Sequence, residues 1–174
     1  MVAAAVAVVG TNGPAAFSAR AVATQAQLPL GAVSYYFPVL DDLLGEALAA
    51  VLHGWLAHGM AVATVASGSG IDDAATAIAA ATLPSGGPDA VRNRYQHLLA
   101  AGRNPVAATA MAALRPELEA LIARILIMTR VSTRLTPNSL LALVDGAALG
   151  GIAEGANDPA DRVRTTLREA LLSE

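Results

Sequence analysis

Between Phe17 and Leu44 the spacing of apolar residues changes three times. Ser18 precedes Ala19, Val22, Ala23 and Ala26, which are spaced as one face of an α-helix capped by the serine. Gln27-Leu28-Pro29 interrupts that pattern, and Leu30–Tyr36 predicts a second short helix. On it, Leu30 and Val33 are expected inward with Phe37 closing the core. Ala32, Ser34, Tyr35 and Tyr36 are expected outward, although one of the two tyrosines is expected to join the core. Pro38 opens a long helix from Val39, with Asp41 and Asp42 in its first turn. Leu44, Leu48, Leu52, Trp55 and Gly59 then recur every three or four residues. Ahead of the pair, Val2–Val9 predicts a short apolar helix stopped by Thr11-Asn12-Gly13-Pro14, and Phe17 is expected to plug the core the helices share.

The remaining pattern is also helical. Ser67-Gly68-Ser69-Gly70 is expected to end the long helix, Ile71–Leu83 to form the next, and Pro84 to Pro88 to end that one. Asp89–Ala101 follows, with Tyr95, Leu98 and Leu99 expected inward and Arg92, Arg94, His97 and Arg103 at the surface. Val106–Arg134 predicts one long helix in which Pro116 removes an intrahelical bond. Asn138–Glu154 and Pro159–Leu172 predict the last two. Few windows alternate with period two, so the expected class is all-α, without internal repeats.

Composition supports a large helical core: the 174 residues are 55% apolar and rich in alanine, the best helix former. It contributes little positive charge. The chain has no lysine, its 11 basic residues are all arginine, and the net charge is −3. Two apolar stretches invite a membrane reading. Met1–Ala19 lacks a positive start and is broken between Gly10 and Pro14, so it is not read as a signal peptide. Ala47–Ile71 carries no formal charge and is long enough to span a bilayer, but with His53, His58 and several glycines it is expected to be a buried helix.

Enzyme chemistry finds no support. There is no Gly-x-Ser-x-Gly, no phosphate loop, no cysteine and no metal-ligand spacing, since His53 and His58 are five apart and share no helical face. No catalytic residue, cofactor or metal is expected. The two short helices and their tight turn are another matter, because a helix-turn-helix places its second helix in the DNA major groove. Ser18 and Arg20 are candidate phosphate contacts. Ser34, Tyr35 and Tyr36 are candidates for the groove and backbone. Gly31 and Ala32 are small enough to approach base edges, where Ala32 can meet a thymine methyl.

Three ordered motifs, Ser18-Ala19-Arg20-Ala21-Val22-Ala23, Gly31-Ala32-Val33-Ser34-Tyr35-Tyr36-Phe37 and Asp41-Asp42-Leu43-Leu44, resemble the DNA-binding head of the TetR family of bacterial transcriptional regulators. Leu143–Leu149 also resembles the penultimate helix of that family's C-terminal domain. The resemblance implies an N-terminal three-helix helix-turn-helix domain, residues 1–46, and a C-terminal helical ligand-binding and dimerisation domain, residues 47–174. It implies a cytoplasmic homodimer, paired through the last two helices from Asn138 to Leu172, that binds double-stranded operator DNA. A small hydrophobic or amphipathic effector in the body would release it, usually derepressing transcription. Trp55, Tyr95, Met111 and Met128 lie on the helices that wall the family's pocket and are the expected lining. Two departures stand out: Leu40 takes the place of a lysine that anchors phosphate in many members, and the basic residues that usually precede the family's first helix are missing before Val2. Residues 1–50 set Arg20 against Asp41, Asp42 and Glu46. Weak DNA binding follows from that balance, and an all-α binding or interaction protein of the same fold is the alternative.

Overall fold

A computed structural model describes residues 1–66 and 68–173; Ser67, in the expected stop of the long helix, lies outside them. Among the described residues there is no strand. The order is α1 (Val2–Asn12), a 3-10 turn (Pro14–Ala16), α2 (Ala19–Ala26), α3 (Leu30–Tyr36), α4 (Leu40–Val65), α5 (Ile71–Thr82), α6 (Pro88–Ala101), α7 (Pro105–Met128), α8 (Pro137–Ala153) and α9 (Pro159–Leu172).

Local chemistry explains most boundaries. Proline is the first residue of α6, α7, α8 and α9, where its missing N–H has no partner to lose. Thr136 caps α8 by accepting the Ser139 N–H at 3.1 Å, and Asp158 caps α9 by accepting that of Ala160 at 3.0 Å. Three helices end in the same way, with a left-handed residue whose N–H and that of its successor turn back to the last carbonyls: Gln27 (φ 55) after α2, Arg130 (φ 57) after α7 and Gly155 (φ 73) after α8. Only the last is a glycine.

The cap at Arg130 corrects the expected helix Val106–Arg134. Thr129 folds its hydroxyl back onto the Ile125 carbonyl at 2.8 Å, Arg130 turns left-handed, and the Val131 N–H bonds the Leu126 carbonyl at 3.0 Å, so α7 stops at Met128. Pro116 lies inside α7 without ending it. At the other end of the chain, α1 runs to Asn12 and turns at Gly13, three residues past the expected Val9.

The chain divides into two compact units, Met1–Gly54 with Gln96–Leu114, and Trp55–Tyr95 with Arg115–Glu174. In the first, Ala5 and Val9 of α1, Val22 and Ala23 of α2, Val33 of α3 and Leu43, Leu44, Ala47 and Leu48 of α4 form one core, with Phe17 and Phe37 half-buried against it. Burying each of the larger side chains contributes roughly 1.5–3 kcal/mol. His97, expected at the surface, is half-buried beside Gly13, where a Cβ would come within 2.5 Å of the imidazole Cδ2.

In the second unit α8 packs on α9, and α5 packs on both. Ile78, Leu121, Ile122, Ile125, Leu140, Val144, Val163 and Leu167 are almost wholly buried there. Gly59 permits a close approach in this unit: a Cβ on it would lie 2.6 Å from Leu121 Cδ2 and 2.7 Å from the Ala81 carbonyl oxygen. Arg92 reaches the Ala156 carbonyl at 2.7 Å and pairs with Asp89 at 3.0 Å.

The expectation of a buried helix over Ala47–Ile71 is corrected. By length and composition α4 would cross a membrane, yet only 22% of its most apolar window is buried. Burial is confined to a stripe, Leu43, Leu44, Ala47, Leu48, Leu52, Gly59 and Ala63, because alanine makes every face apolar without giving each a bulky group to bury. The leucines at the start of that stripe pack into the first unit's core.

Candidate functional site

In the first unit the residues around α3 divide sharply into buried and exposed. Ser18 accepts the Ala21 N–H at 3.1 Å and starts α2, so its hydroxyl already has a structural task. Gln27 then reverses the chain: its N–H bonds the Thr24 carbonyl at 3.2 Å and that of Leu28 bonds Ala23 at 3.0 Å. Pro29 and Leu30 begin α3 directly afterwards, so the three-residue turn has few alternative geometries. On α3, Val33 is fully buried and Ala32 half-buried, while Gly31 and Ser34 are exposed.

Two expectations fail here. Neither tyrosine is core: Tyr35 is 79% and Tyr36 68% exposed, their rings 5.1 Å apart and edge to face. Leu30, expected inward, is 48% exposed. Seven residues give α3 less than two turns of helix, and Val33 with the partly buried Ala32 and Phe37 uses the available core, leaving no inward place for Leu30 or a phenol ring. Leu28, Leu30, Tyr35, Tyr36 and Val39 thus make a concentration of large exposed apolar side chains, the kind of surface that marks an interaction site. A Cβ at Gly31 would meet nothing within 4 Å, so packing does not require the glycine. Arg20 is exposed, as are Asp41, Asp42 and Glu46 in the first turns of α4. The carboxylates of Asp41 and Asp42 suit a helix N-terminus and repel an approaching phosphate.

The second unit holds a polar cluster that helical spacing did not reveal. Arg94, expected outward, lays its guanidinium over Trp55 with Cζ 2.8 Å from the ring centroid and donates to the Thr82 carbonyl at 2.7 Å. The residue as a whole is half-buried, yet its Nε is sealed from solvent and has no hydrogen-bond partner. Beside it Tyr95, 3% exposed, donates its hydroxyl to Asp145 Oδ1 at 3.0 Å. Burial lowers the Arg94 pKa to about 9, and the Tyr95 and Asp145 charges offset part of that fall. Burial, then the Asp145 charge, pushes Tyr95 upward from 10.0. The single tryptophan was the available signal, but the arginine over it lies 39 positions away and Asp145 a further 51.

Of the four residues expected to line a pocket, Trp55, Tyr95 and Met128 belong to the second unit and Met111 to the first. Trp55, Met111 and Met128 are half-buried. Leu99, expected inward beside Tyr95, is 67% exposed. A cleft of about 340 Å³ in the second unit is lined by His58, Val62, Ala79, Leu83, Val91, Asp158 and Arg164, with none of the four expected residues in its wall. Arg164 lies across Asp158 at 3.5 Å and pairs more closely with Asp161.

No curated protein matches the sequence. Residues 69–173, more than half of the chain, match the family described as "Tetracyclin repressor-like, C-terminal domain". The multidrug binding protein EbrR in complex with proflavin is similar in structure, with a TM-score of 0.70 and 26% identity over 97% of this chain and 96% of that one. Its complex with imidazole gives 0.68 and 27% over 97% and 91%. A TetR-family member from Streptomyces coelicolor A3, SCO1917, shares the fold at a TM-score of 0.61 and 24% identity over 97% and 94%. With the C-terminal match covering the second half and a helix-turn-helix exposed at the start, the chain belongs to the tetracyclin repressor-like, or TetR, family of transcriptional regulators.

Proposed function

We propose that this chain is a homodimeric repressor that holds operator DNA through α3 of each subunit and releases it when a small hydrophobic or amphipathic molecule binds the body. The observation that carries the reading is the division of α3: Val33 anchors it in the core while Ser34, Tyr35 and Tyr36 stand free. Gly31 strengthens it, because an unneeded helical glycine costs about 1 kcal/mol against alanine and is useful where another surface must come close. On this reading Ser34, Tyr35 and Tyr36 meet groove and backbone, Gly31 and Ala32 face base edges, and Ser18 and Arg20 meet phosphate. The two reading helices enter major grooves ~34–36 Å apart on one face of the duplex.

Residues 1–46 act as the reading head, and 47–174 carry effector binding and dimerisation in the cytoplasm. EbrR, described as multidrug binding, supports an effector for this chain. Trp55, Tyr95, Met111 and Met128 are the proposed contacts, and binding acts through its different affinity for the DNA-competent and released states. Dimerisation through Asn138 to Leu172 is supported by the outer side of α8, where Ala142, Gly146, Leu149 and Ala153 are exposed at helical spacing and allow a partner helix to pack closely.

The test is selection of bound duplexes from a random library at low salt, then affinity measurements on the winners. Two half-sites about one helical turn apart are expected, with binding lost in the Tyr35→Ala, Tyr36→Ala double variant. No duplex bound even at low salt sinks the repressor reading.

A further inference from the structure

We infer that Arg94 occupies a binding place suited to a planar organic cation, and that such a ligand enters by displacing it. The inference rests on the effector reading above and specifies the ligand's class. Three groups define the place. Trp55 offers the face of an indole, the strongest of the aromatic cation acceptors, and a planar cation already lies on it at 2.8 Å. Asp145 supplies a carboxylate, held in position by the Tyr95 hydroxyl at 3.0 Å. The Thr82 carbonyl accepts an in-plane N–H at 2.7 Å. A flat aromatic face with a carboxylate and a carbonyl nearby is the set that recognises amidinium, guanidinium or aminoacridinium groups.

The present occupant is poorly held. Arginine carries five N–H donors, and here Nε is buried without an acceptor. A charged donor left unpaired costs more than a neutral one. Burial also lowers the guanidinium's pKa to about 9, the mark of a cation whose surroundings do not replace its lost water. Rotation into solvent would restore hydration to every donor. The 340 Å³ cleft is lined by chain neighbours of the site and by none of its own residues: Leu83 is adjacent to Thr82, and Val91 lies one helical turn before Arg94 and Tyr95.

The experiment titrates the full-length protein with proflavin, a planar cation, and with acridone, neutral and of similar shape. Arg94→Ala, with its helical circular dichroism intact, is expected to bind proflavin roughly tenfold or more tighter than wild type, the scale of a desolvated cation–π contact. Acridone should gain less than about threefold, and adding Asp145→Asn should cancel the proflavin gain. Arg94→Met keeps the stem without the charge; if the alanine variant does not fold, it is expected to bind proflavin at least about threefold tighter than wild type. A folded variant that binds proflavin no tighter, or gains equally for acridone, overturns the inference. DNA binding measured on the same samples separates the two readings. Intact DNA binding without the proflavin gain removes only the cation site, and absent DNA binding removes the repressor while the proflavin titration still judges the site.

Discussion

DNA binding by this chain should depend on salt far less steeply than is usual for a protein held by phosphate contacts. Arg20 is the only arginine or lysine among residues 1–54, and it is exposed. A dimer therefore brings two such cations to the duplex from its reading heads. Counterion release gives a slope of about −0.9 in log affinity against log salt per neutralised phosphate, hence about −1.8 in all. Raising salt from about 50 to about 200 mM then weakens binding about twelvefold, or ~1.5 kcal/mol, where six to ten phosphate contacts would lose ~10³–10⁵. Affinity must come instead from tyrosines, backbone N–H groups and apolar contact, which release no counterions. The assay is fluorescence anisotropy on a selected duplex across a potassium chloride series, with Arg20→Gln expected to bring the slope near zero. The Asp41→Asn, Asp42→Asn pair should tighten low-salt binding roughly two- to fivefold by removing exposed like charge, while weakening the start of α4 by ~0.3–1 kcal/mol for each lost carboxylate. A wild-type slope steeper than about −4, or one unchanged by Arg20→Gln, refutes the reasoning, because other cations would then be reaching the backbone.

The proposed dimer face separates two neighbouring leucines: Leu149→Glu, at a position 37% exposed, should give a folded monomer by sedimentation, whereas Leu141→Glu, 5% exposed, should unfold the subunit itself. If Leu149→Glu remains dimeric, α8 is not the contact. Gly59→Ala would set a Cβ 2.7 Å from the Ala81 carbonyl oxygen. A loss of ~1–3 kcal/mol is expected, or about 3–10 °C in melting temperature for a chain of this size, and an unchanged melting curve would count against the packing described. Tyr95→Phe removes the bond to Asp145 and should cost ~1.5–3 kcal/mol at neutral pH, the range for a hydrogen bond to a charged group. Because Tyr95 is raised from 10.0 in the folded chain, the unfolded phenol ionises first, so its contribution is full below pH 10 and falls above it. Urea melts at pH 7 and about pH 11 should therefore show the wild-type advantage over Tyr95→Phe shrinking; a constant gap would contradict the assignment.

Helix boundaries were readable because they depend on local chemistry. Prolines at the first position of α6, α8 and α9 and the side-chain caps Ser18, Thr136 and Asp158 leave marks in the sequence itself. Where that chemistry is ambiguous the structure departs from the expectation: nothing in Arg130 announces a left-handed cap, and α7 ends at Met128, six residues before the expected Arg134. Facing was harder. In a chain this rich in alanine the polar side of a helix is hardly marked, and Leu30 and Leu99 lie exposed where spacing predicts them inward, while Arg94 turns its Nε inward where spacing predicts it outward. The helix-turn-helix motif could be read because it is continuous, from Ser18 to Leu44. The Arg94 cluster could not, since Trp55, Thr82, Tyr95 and Asp145 meet only once four helices have packed.

Gln27 carries a further meaning. Its single left-handed φ of 55° and the burial of Val33 fix the direction in which α3 points, and neither residue belongs to the surface α3 displays. Aim and vocabulary are therefore held by different residues. Ser34, Tyr35 and Tyr36 can be exchanged with little effect on the core beneath them; if α3 reads DNA as proposed, a lineage with this head can acquire new operators one exposed position at a time while its helix keeps presenting them at the same angle.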